Sequence, residues 1–288
     1  MYKRQEYART HGIGRSHGSY AALVGDPEVD VVYNALPPSL HAEWTIAALE
    51  AGKDVLCEKP FTMNAAEAER VQAAAARTGR RVVEAFHDAY HPLAARMREI
   101  VASGVLGALE HADARFDGAN PYDPRSIRHD PALGGGALMD LGCYPAHWLR
   151  TVFAAEPTVR SAVAVRNPLG ADLEMTAELD FPDGMTATLS ASMAEGVALD
   201  ESLEVRGSRG RLRVENIVFP SAGHRILLEV DGLQRESTVA GDTTYDHQLA
   251  ALVEGLRTGV PLPTEGADSV ATMRLIDAIY AAAGFDRA

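Results

Sequence analysis

The chain has 288 residues, 47% hydrophobic and 23% charged, an ordinary globular balance with enough length for two cores. A formal net charge of −13 argues against nucleic acid or an anionic membrane as partner. No apolar run approaches membrane-spanning length, no signal peptide opens the chain, and two distant cysteines, Cys57 and Cys143, cannot make a disulfide framework, so a reducing cytoplasm is expected.

The opening is odd. Residues 1–5 resemble a translated sequencing adapter, and residues 6–12 read as the last turns of a helix stopped by Gly12. A truncated gene is therefore expected. Gly12, Gly14 and Gly18 invite a nucleotide-loop reading, but the dinucleotide fingerprint needs its third glycine where His17 stands and must follow a strand. A helix C-cap and loop is the better reading. Residues 19–24 read as a short helix. A buried strand is expected over 29–36, ended by Pro37-Pro38, then a helix over 42–51 with Ser39 as N-cap and Gly52 as C-cap. Val55-Leu56-Cys57 is a second buried strand, ending abruptly in Glu58-Lys59-Pro60. Asn64 caps an alanine-rich helix to Arg77, Gly79 stops it, and 81–86 is a further strand. This alternation predicts a parallel sheet of the dinucleotide-binding kind.

Beyond Pro92 the pattern changes. A helix over 93–101 and a strand over 109–116 precede the run Gly134-Gly135-Gly136, which opens another helix. Strands then dominate: 159–165, 173–181, 185–191, 202–205, 211–214 and 226–230, with hairpin turns at Asp183-Gly184 and Ser208-Arg209-Gly210. Helices over 245–257 and 268–283 close the chain. The expected fold class is α/β plus α+β: an incomplete Rossmann-type parallel sheet over 1–87, then a domain over 88–288 with a large, mainly antiparallel sheet.

Ligands of open α/β sheets sit outside the carboxyl ends of the strands, where Glu58 and Lys59 stand. On a regular helix, Asp140, Tyr144 and His147 fall at i, i+4 and i+7, on one face. Taken singly, each of these side chains has an ordinary structural explanation. His87 and His91 have His-x-x-x-His spacing, but Pro92 disfavours helix at His91, so no metal site is expected.

The stretch from Val55 to Pro60, followed by that from Gly134 to His147, resembles the Gfo/Idh/MocA family of NAD(P)-dependent oxidoreductases. The resemblance runs from about Glu6 to the C-terminus. It implies a cofactor, NAD or NADP, held by Pro37, His41, Glu58 and Lys59, and catalysis by Lys59, Tyr144 and Asp140. Arg128 and His147 are the candidate substrate contacts, and Arg128 and His129, just before the glycine run, are the weaker candidates for lining the pocket. It implies a cis Lys59-Pro60 bond aiming the lysine into the cleft. Homodimers or homotetramers are common in the family, through an open sheet face expected to show apolar positions along 173–191. Tyr144 is typical of the glucose–fructose oxidoreductase, dihydrodiol dehydrogenase and xylose dehydrogenase branches. Inositol dehydrogenases end the motif in aspartate where His147 stands. Asp88-Ala89 departs from the aromatic-arginine pair that usually contacts the cofactor.

Hydride transfer from an alcohol needs a group that moves the hydroxyl proton. Tyrosine titrates near 10, and a nearby ammonium would lower that value, so Lys59 is expected to activate Tyr144 and polarise the substrate oxygen. Asp140 would orient Lys59 or bind a substrate hydroxyl. The expected function is hydride transfer between NAD(P) and a secondary alcohol or carbonyl of a sugar-like or cyclic polyol. One rival is a non-catalytic sugar or nucleotide sensor on the same fold, disfavoured by retention of Lys59 and Tyr144. The other is a metal hydrolase using scattered His and Asp residues. NAD is not distinguished from NADP, because the selector follows a strand not found here. The missing first strand and glycine turn predict an unpaired edge at 29–36 and no cofactor binding by the chain as given.

Overall fold

The computed structural model describes residues 2–286. Helices α1 (Tyr2–Thr10) and α2 (Tyr20–Val24) precede a strand–helix alternation: β1 (Val31–Asn34), α3 (Pro38–Glu50), β2 (Asp54–Cys57), α4 (Ala65–Thr78) and β3 (Val82–Glu84). The three strands are parallel, in the order β1-β2-β3. Among the described residues nothing pairs with the outer edge of β1, where Tyr33 is exposed. Gly12 lies in a turn after α1, with Ile13 N–H donating to the Ala8 carbonyl at 2.8 Å, so this glycine run is the helix end expected of it.

The local signals act as their chemistry dictates. Asn64 accepts the Glu67 N–H at 2.9 Å, and Glu67 reaches back to the Met63 N–H at 3.1 Å, a reciprocal cap for α4. Gly79, at φ +66°, stops it. Helix α3 starts earlier than its serine suggested. Pro38 occupies the first turn and Pro37 the cap, because proline's fixed φ suits a helix start and its missing N–H has no partner there anyway.

The second unit opens with a 3₁₀ turn (His87–Tyr90) and α5 (Pro92–Ala102), then β4 (Leu109–Asp117). A π turn (Leu138–Gly142) leads into α6 (Cys143–Phe153). Strands β5 (Thr158–Arg166), β6 (Asp172–Asp180), β7 (Thr186–Ser192), β8 (Asp200–Gly207), β9 (Gly210–Glu215), β10 (Arg225–Val230) and β11 (Leu233–Ser237) follow, and α7 (Thr244–Thr258) and α8 (Ala267–Ala282) end the described chain. The eight-stranded sheet runs β11-β10-β9-β8-β4-β7-β6-β5, antiparallel except where β4 lies parallel to β7. The Asp183-Gly184 and Ser208-Arg209 turns form as expected. Strand β11 was not foreseen. Its side chains are exposed and it lacks an apolar face, yet Asp231-Gly232, both at positive φ, make the two-residue hairpin that pairs it with β10.

Helices α6 and α8 pack on one face of this sheet. The open face corrects an expectation: Met175, Ala177, Leu179, Ala187 and Leu189 all point into the core. Their neighbours Glu174, Thr176, Glu178, Thr186 and Thr188 take the open side, and its exposed apolar residues are Val163 and Val165 on β5. The C-terminal helices return to the first unit. The Ala65 N–H donates to Asp277, and Arg81 reaches Glu265 and the carbonyls of Gly255 and Val260. One continuous apolar core includes Leu49, Phe61 and Phe86 together with Trp148, Leu189 and Ile276.

Candidate active site

Strand β2 delivers the central residues. Glu58 N–H still bonds to the Asn34 carbonyl, and the chain then turns through a cis Lys59-Pro60 bond. The lysine side chain enters a cleft between the two sheets, where its Nζ donates to the backbone carbonyl of Asp140 at 2.6 Å and to the Asp140 carboxylate at 3.2 Å. The same Nζ lies 5.0 Å from the centroid of the Tyr144 ring. Arg128 Nε donates to the other carboxylate oxygen of Asp140 at 2.8 Å.

The π turn sets Asp140 in this position. Its first amide, Leu138 N–H, donates to Asp172 Oδ2 at 2.6 Å, and Tyr280 donates to Asp172 Oδ1 at 2.7 Å. Gly136 stands against that carboxylate at φ +133°, where a Cβ would collide with Asp172 and Tyr280. The wider turn also explains a failed expectation. A regular helix would bring His147 onto the face of Asp140 and Tyr144, but the π turn changes the angular register between Asp140 and α6. His147 instead lies buried, stacked on Phe86 with ring centroids 4.4 Å apart, its Nε2 3.2 Å from Asp268. It does not line the cleft.

The cleft has a volume of about 680 Å³. Its polar wall is Lys59, Asn120, Arg128, Asp140, Tyr144 and Tyr245, and its apolar wall includes Phe116, Leu141, Met193 and Phe219. A smaller cavity of about 200 Å³ adjoins it, lined by Leu36, Pro38, Glu58, Lys59, Pro60, Arg128 and Asp140 among others. It opens at the carboxyl ends of β1 and β2, as expected for a nucleotide cofactor on a parallel sheet. Apolar Leu36, Pro38 and Pro60 beside the Glu58–Lys59 pair suit a flat ring bearing a carboxamide, so the residues present fit the nicotinamide end of such a cofactor.

Several expected site residues stand elsewhere. His41 is 1% exposed, with Nδ1 3.0 Å from the Pro60 carbonyl and Nε2 2.7 Å from the Leu36 carbonyl. Both nitrogens face main-chain carbonyls, and the neutral ring donates to one of them, so His41 fastens the cavity loops and turns no nitrogen toward the cavity. Pro37 caps α3, and its neighbour Pro38 lines the cavity. Glu58 keeps its expected place on the wall of the smaller cavity, where it accepts the Tyr33 hydroxyl. His129 is fully buried, away from the cleft. Asp88 is buried too and accepts the Trp148 indole N–H at 2.7 Å, so it braces α6 rather than facing a ligand.

The residue that spacing did not place at the site is His87. Its Nε2 lies 3.2 Å from the Tyr144 hydroxyl, and its Nδ1 lies 2.8 Å from the Thr244 hydroxyl. The available signal was position, since His87 follows β3 as Lys59 follows β2. His91 does not join it. Its Nδ1 accepts the Leu93 N–H, and its ring faces His224 and His247. Among the described residues no group of three or more His, Cys, Asp or Glu side chains is arranged to hold a metal.

The charges sort the roles. Burial alone would push Lys59 down, but Asp140 reverses that and leaves it above the usual lysine range, a firm ammonium. Burial would push Asp140 up, but Lys59 and Arg128 together hold it below the usual carboxylate range. Tyr144 contradicts the expected activation. Burial lifts it well above its ordinary value, with Asp88 and Glu58 acting in the same direction. The ammonium lies over the ring and not against the hydroxyl, so the resting side chain is a neutral phenol.

A cavity at the ends of parallel strands, a fixed ammonium and a proton-bearing phenol define a nucleotide-dependent oxidoreductase. Residues 3–86 match the oxidoreductase family NAD-binding Rossmann fold, and residues 94–213 match the GFO/IDH/MocA C-terminal domain. The chain is 39% identical over 284 residues to an uncharacterized oxidoreductase of Rhizobium meliloti, covering 96% of this chain and 84% of that one. It is 34% identical over 274 residues to D-xylose 1-dehydrogenase (NADP(+)) 2 of Haloferax volcanii, covering 94% and 83%. A crystal structure of KijD10, a 3-ketoreductase from Actinomadura kijaniata in complex with NADP and TDP-benzene, superposes with a TM-score of 0.90 at 28% identity, covering 98% and 86%. The chain belongs to the Gfo/Idh/MocA family of NAD(P)-dependent oxidoreductases.

Proposed function

We propose that this oxidoreductase interconverts a secondary alcohol and the matching carbonyl on a sugar-like or cyclic polyol. The observation that carries this reading is the placement of Lys59, held by Asp140 against the Tyr144 ring on the wall of one cleft. The nicotinamide, when bound, donates or accepts the hydride. Tyr144 moves the hydroxyl proton, and as a neutral phenol it is ready to protonate a carbonyl oxygen undergoing reduction. Lys59 stabilises charge developing on that oxygen. Asp140 orients Lys59, and the half-exposed Arg128 guanidinium is free on one side for a substrate hydroxyl. Relatives named as a D-xylose 1-dehydrogenase, a dTDP-3,4-didehydro-2,6-dideoxy-alpha-D-glucose 3-reductase and a trans-1,2-dihydrobenzene-1,2-diol dehydrogenase support a sugar-like or cyclic diol substrate.

In the same reading residues 1–87 carry the cofactor, and residues 88–288 carry the substrate and the assembly surface. The open face of the large sheet, with Val163 and Val165 at one edge, would join copies into a dimer or tetramer. Two buried thiols suit a reducing cytoplasm. The test is nicotinamide absorbance, on protein extended N-terminally by the strand and glycine turn of the dinucleotide fold, with each of NAD and NADP across a panel of aldoses, ketoses and cyclic diols. Turnover of at least one class is expected. Folded protein that turns over none with either cofactor would overturn the proposal.

A further inference from the structure

Tyr144 moves a proton, so that proton needs somewhere to go. The Lys59 ammonium cannot take one, being charged already. The remaining candidate is His87, 2% exposed and enclosed by Tyr144, Phe219 and Tyr245, the last stacked on it with ring centroids 4.1 Å apart.

The hydrogen bonds around His87 assign its tautomer once the Thr244 proton is placed. Thr244 has one hydroxyl proton, and it donates to the Val218 carbonyl at 3.4 Å. With that proton on Val218 the Thr244 oxygen accepts from His87 Nδ1, and on this ground we assign the ring proton to Nδ1. That leaves Nε2 with a lone pair facing the Tyr144 hydroxyl at 3.2 Å, and the phenol donates to it. The direction of the chain, Tyr144 to His87 to Thr244 to Val218, is set by its last member.

We propose that His87 is the proton-relay partner of Tyr144, taking the phenol proton on Nε2 as Tyr144 takes the proton of the substrate hydroxyl. In alcohol oxidation the hydroxyl O–H bond breaks and an O–H bond forms on Tyr144. The original phenol O–H bond breaks, and an N–H bond forms on His87. One proton enters the pair and the imidazole becomes imidazolium. The electron pair leaves separately, with the hydride, from the carbinol carbon to the oxidised nicotinamide. After product leaves, the proton returns through Tyr144 to solvent in the cleft, and carbonyl reduction runs the relay backwards. The other charged or titratable groups around His87 are Asp88 on its own turn, Glu58 and Lys59 beyond β2, and Tyr245 on α7. Burial holds its pKa below the usual histidine value, with Lys59 adding to this and Asp88 and Glu58 opposing it. At neutral pH the ring is therefore the required acceptor.

The catalytic half of this inference rests on the proposed oxidoreductase chemistry, and the tautomer does not. Long-range proton–nitrogen NMR on histidine-labelled protein, with His87 assigned by its loss in His87→Gln, reads the tautomer directly. A neutral ring protonated on Nδ1 at pH 7 is expected. A ring protonated on Nε2, or doubly protonated, overturns the proposal whatever the enzyme's substrate. Tyr144→Phe removes the donor to Nε2 and should raise the His87 pKa, and an unchanged value would also overturn it. In turnover, His87→Gln can still accept the phenol hydrogen bond but cannot carry a proton. Its kcat should fall by roughly 10- to 100-fold with little change in KM. The acid limb of kcat/KM for alcohol oxidation, placed below the ordinary histidine value of about 6.5, should disappear. A wild-type pH profile in that variant would reduce His87 to a packing residue.

Discussion

Lys59 meets Asp140 twice, through the backbone carbonyl at 2.6 Å and the carboxylate at 3.2 Å. The π turn presents both main chain and side chain of Asp140 to the cleft. A single residue thus fixes both the position and the charge of the ammonium. Asp140→Asn should keep the carbonyl contact and lose the ion pairs to Lys59 and Arg128. We expect kcat to fall by about 10- to 100-fold, the scale of one misplaced electrostatic group, with a folded protein by circular dichroism. Full activity would show that the carboxylate is not needed to hold Lys59.

Tyr144→Phe deletes the proton carrier and preserves the ring under the ammonium. Turnover should drop by about two to four orders of magnitude, while loss of the bond to His87 should cost only about 0.5–1.5 kcal/mol of stability. Steady-state kinetics and urea unfolding on the same preparation separate the two. Wild-type kcat would assign proton transfer to another group.

Gly136→Ala would place a methyl group against Asp172 and Tyr280, at a φ that alanine resists. The Asp172 carboxylate would have to leave the Leu138 amide it caps. A loss of about 2–4 kcal/mol is expected, combining backbone strain with overpacking. A midpoint in urea equal to wild type would mean the cradle relaxes freely.

Glu84 on β3 is fully buried, and burial, reinforced by Asp268, raises its pKa well above the reference of 4.5. Ser269, the Phe61 amide and Arg150 offset this only in part. Below pH 4.5 the folded and unfolded chains both hold the proton, so pH has no effect through this group. Above 4.5 the unfolded chain releases it and the folded chain keeps it. Stability therefore falls as pH rises, by at most about 1.4 kcal/mol per pH unit, until the raised folded value is reached. Glu84→Gln abolishes that slope, so its stability relative to wild type should increase from pH 5 to pH 8. Parallel unfolding curves at both pH values would show that Glu84 is ionised in the fold.

The parts of this protein visible in sequence are those governed by short-range rules. Parallel strands ended by Pro37-Pro38 and by Glu58-Lys59-Pro60, the Asn64 cap and the Asp183-Gly184 turn all depend on neighbours a few residues away, although β1, expected to be buried, exposes Val31 and Tyr33 at the sheet edge. Lys59, Asp140 and Tyr144 are legible together because two motifs carry them and the fold brings those motifs into contact, whereas Arg128 is a candidate only by its place just before the glycine run. Residues whose role depends on distant partners were misread. His41 and His147 look like ligands in sequence and are interior fasteners in space. Asp140 and His147 share a face only at 3.6 residues per turn, and the π turn departs from that spacing. His87 stood beside a decoy, the His-x-x-x-His spacing with His91, and its partners Tyr144 and Thr244 come from elements far along the chain.

The parallel pairing of β4 with β7 has a consequence for biosynthesis. A sheet made only of successive hairpins can close strand by strand as it leaves the ribosome. Here Ala112 must find Ala187 on one side and Val205 on the other. At roughly 5–20 residues per second, β4 waits on the order of ten seconds for both neighbours. During that interval both its edges are open, the state most exposed to pairing with another nascent chain. The polar side chains His111, Asp113 and Arg115 alternate with its small core residues Ala112 and Ala114. That alternation keeps the waiting strand from being uniformly apolar, so the polar face of the finished sheet also serves as protection while the protein is being made.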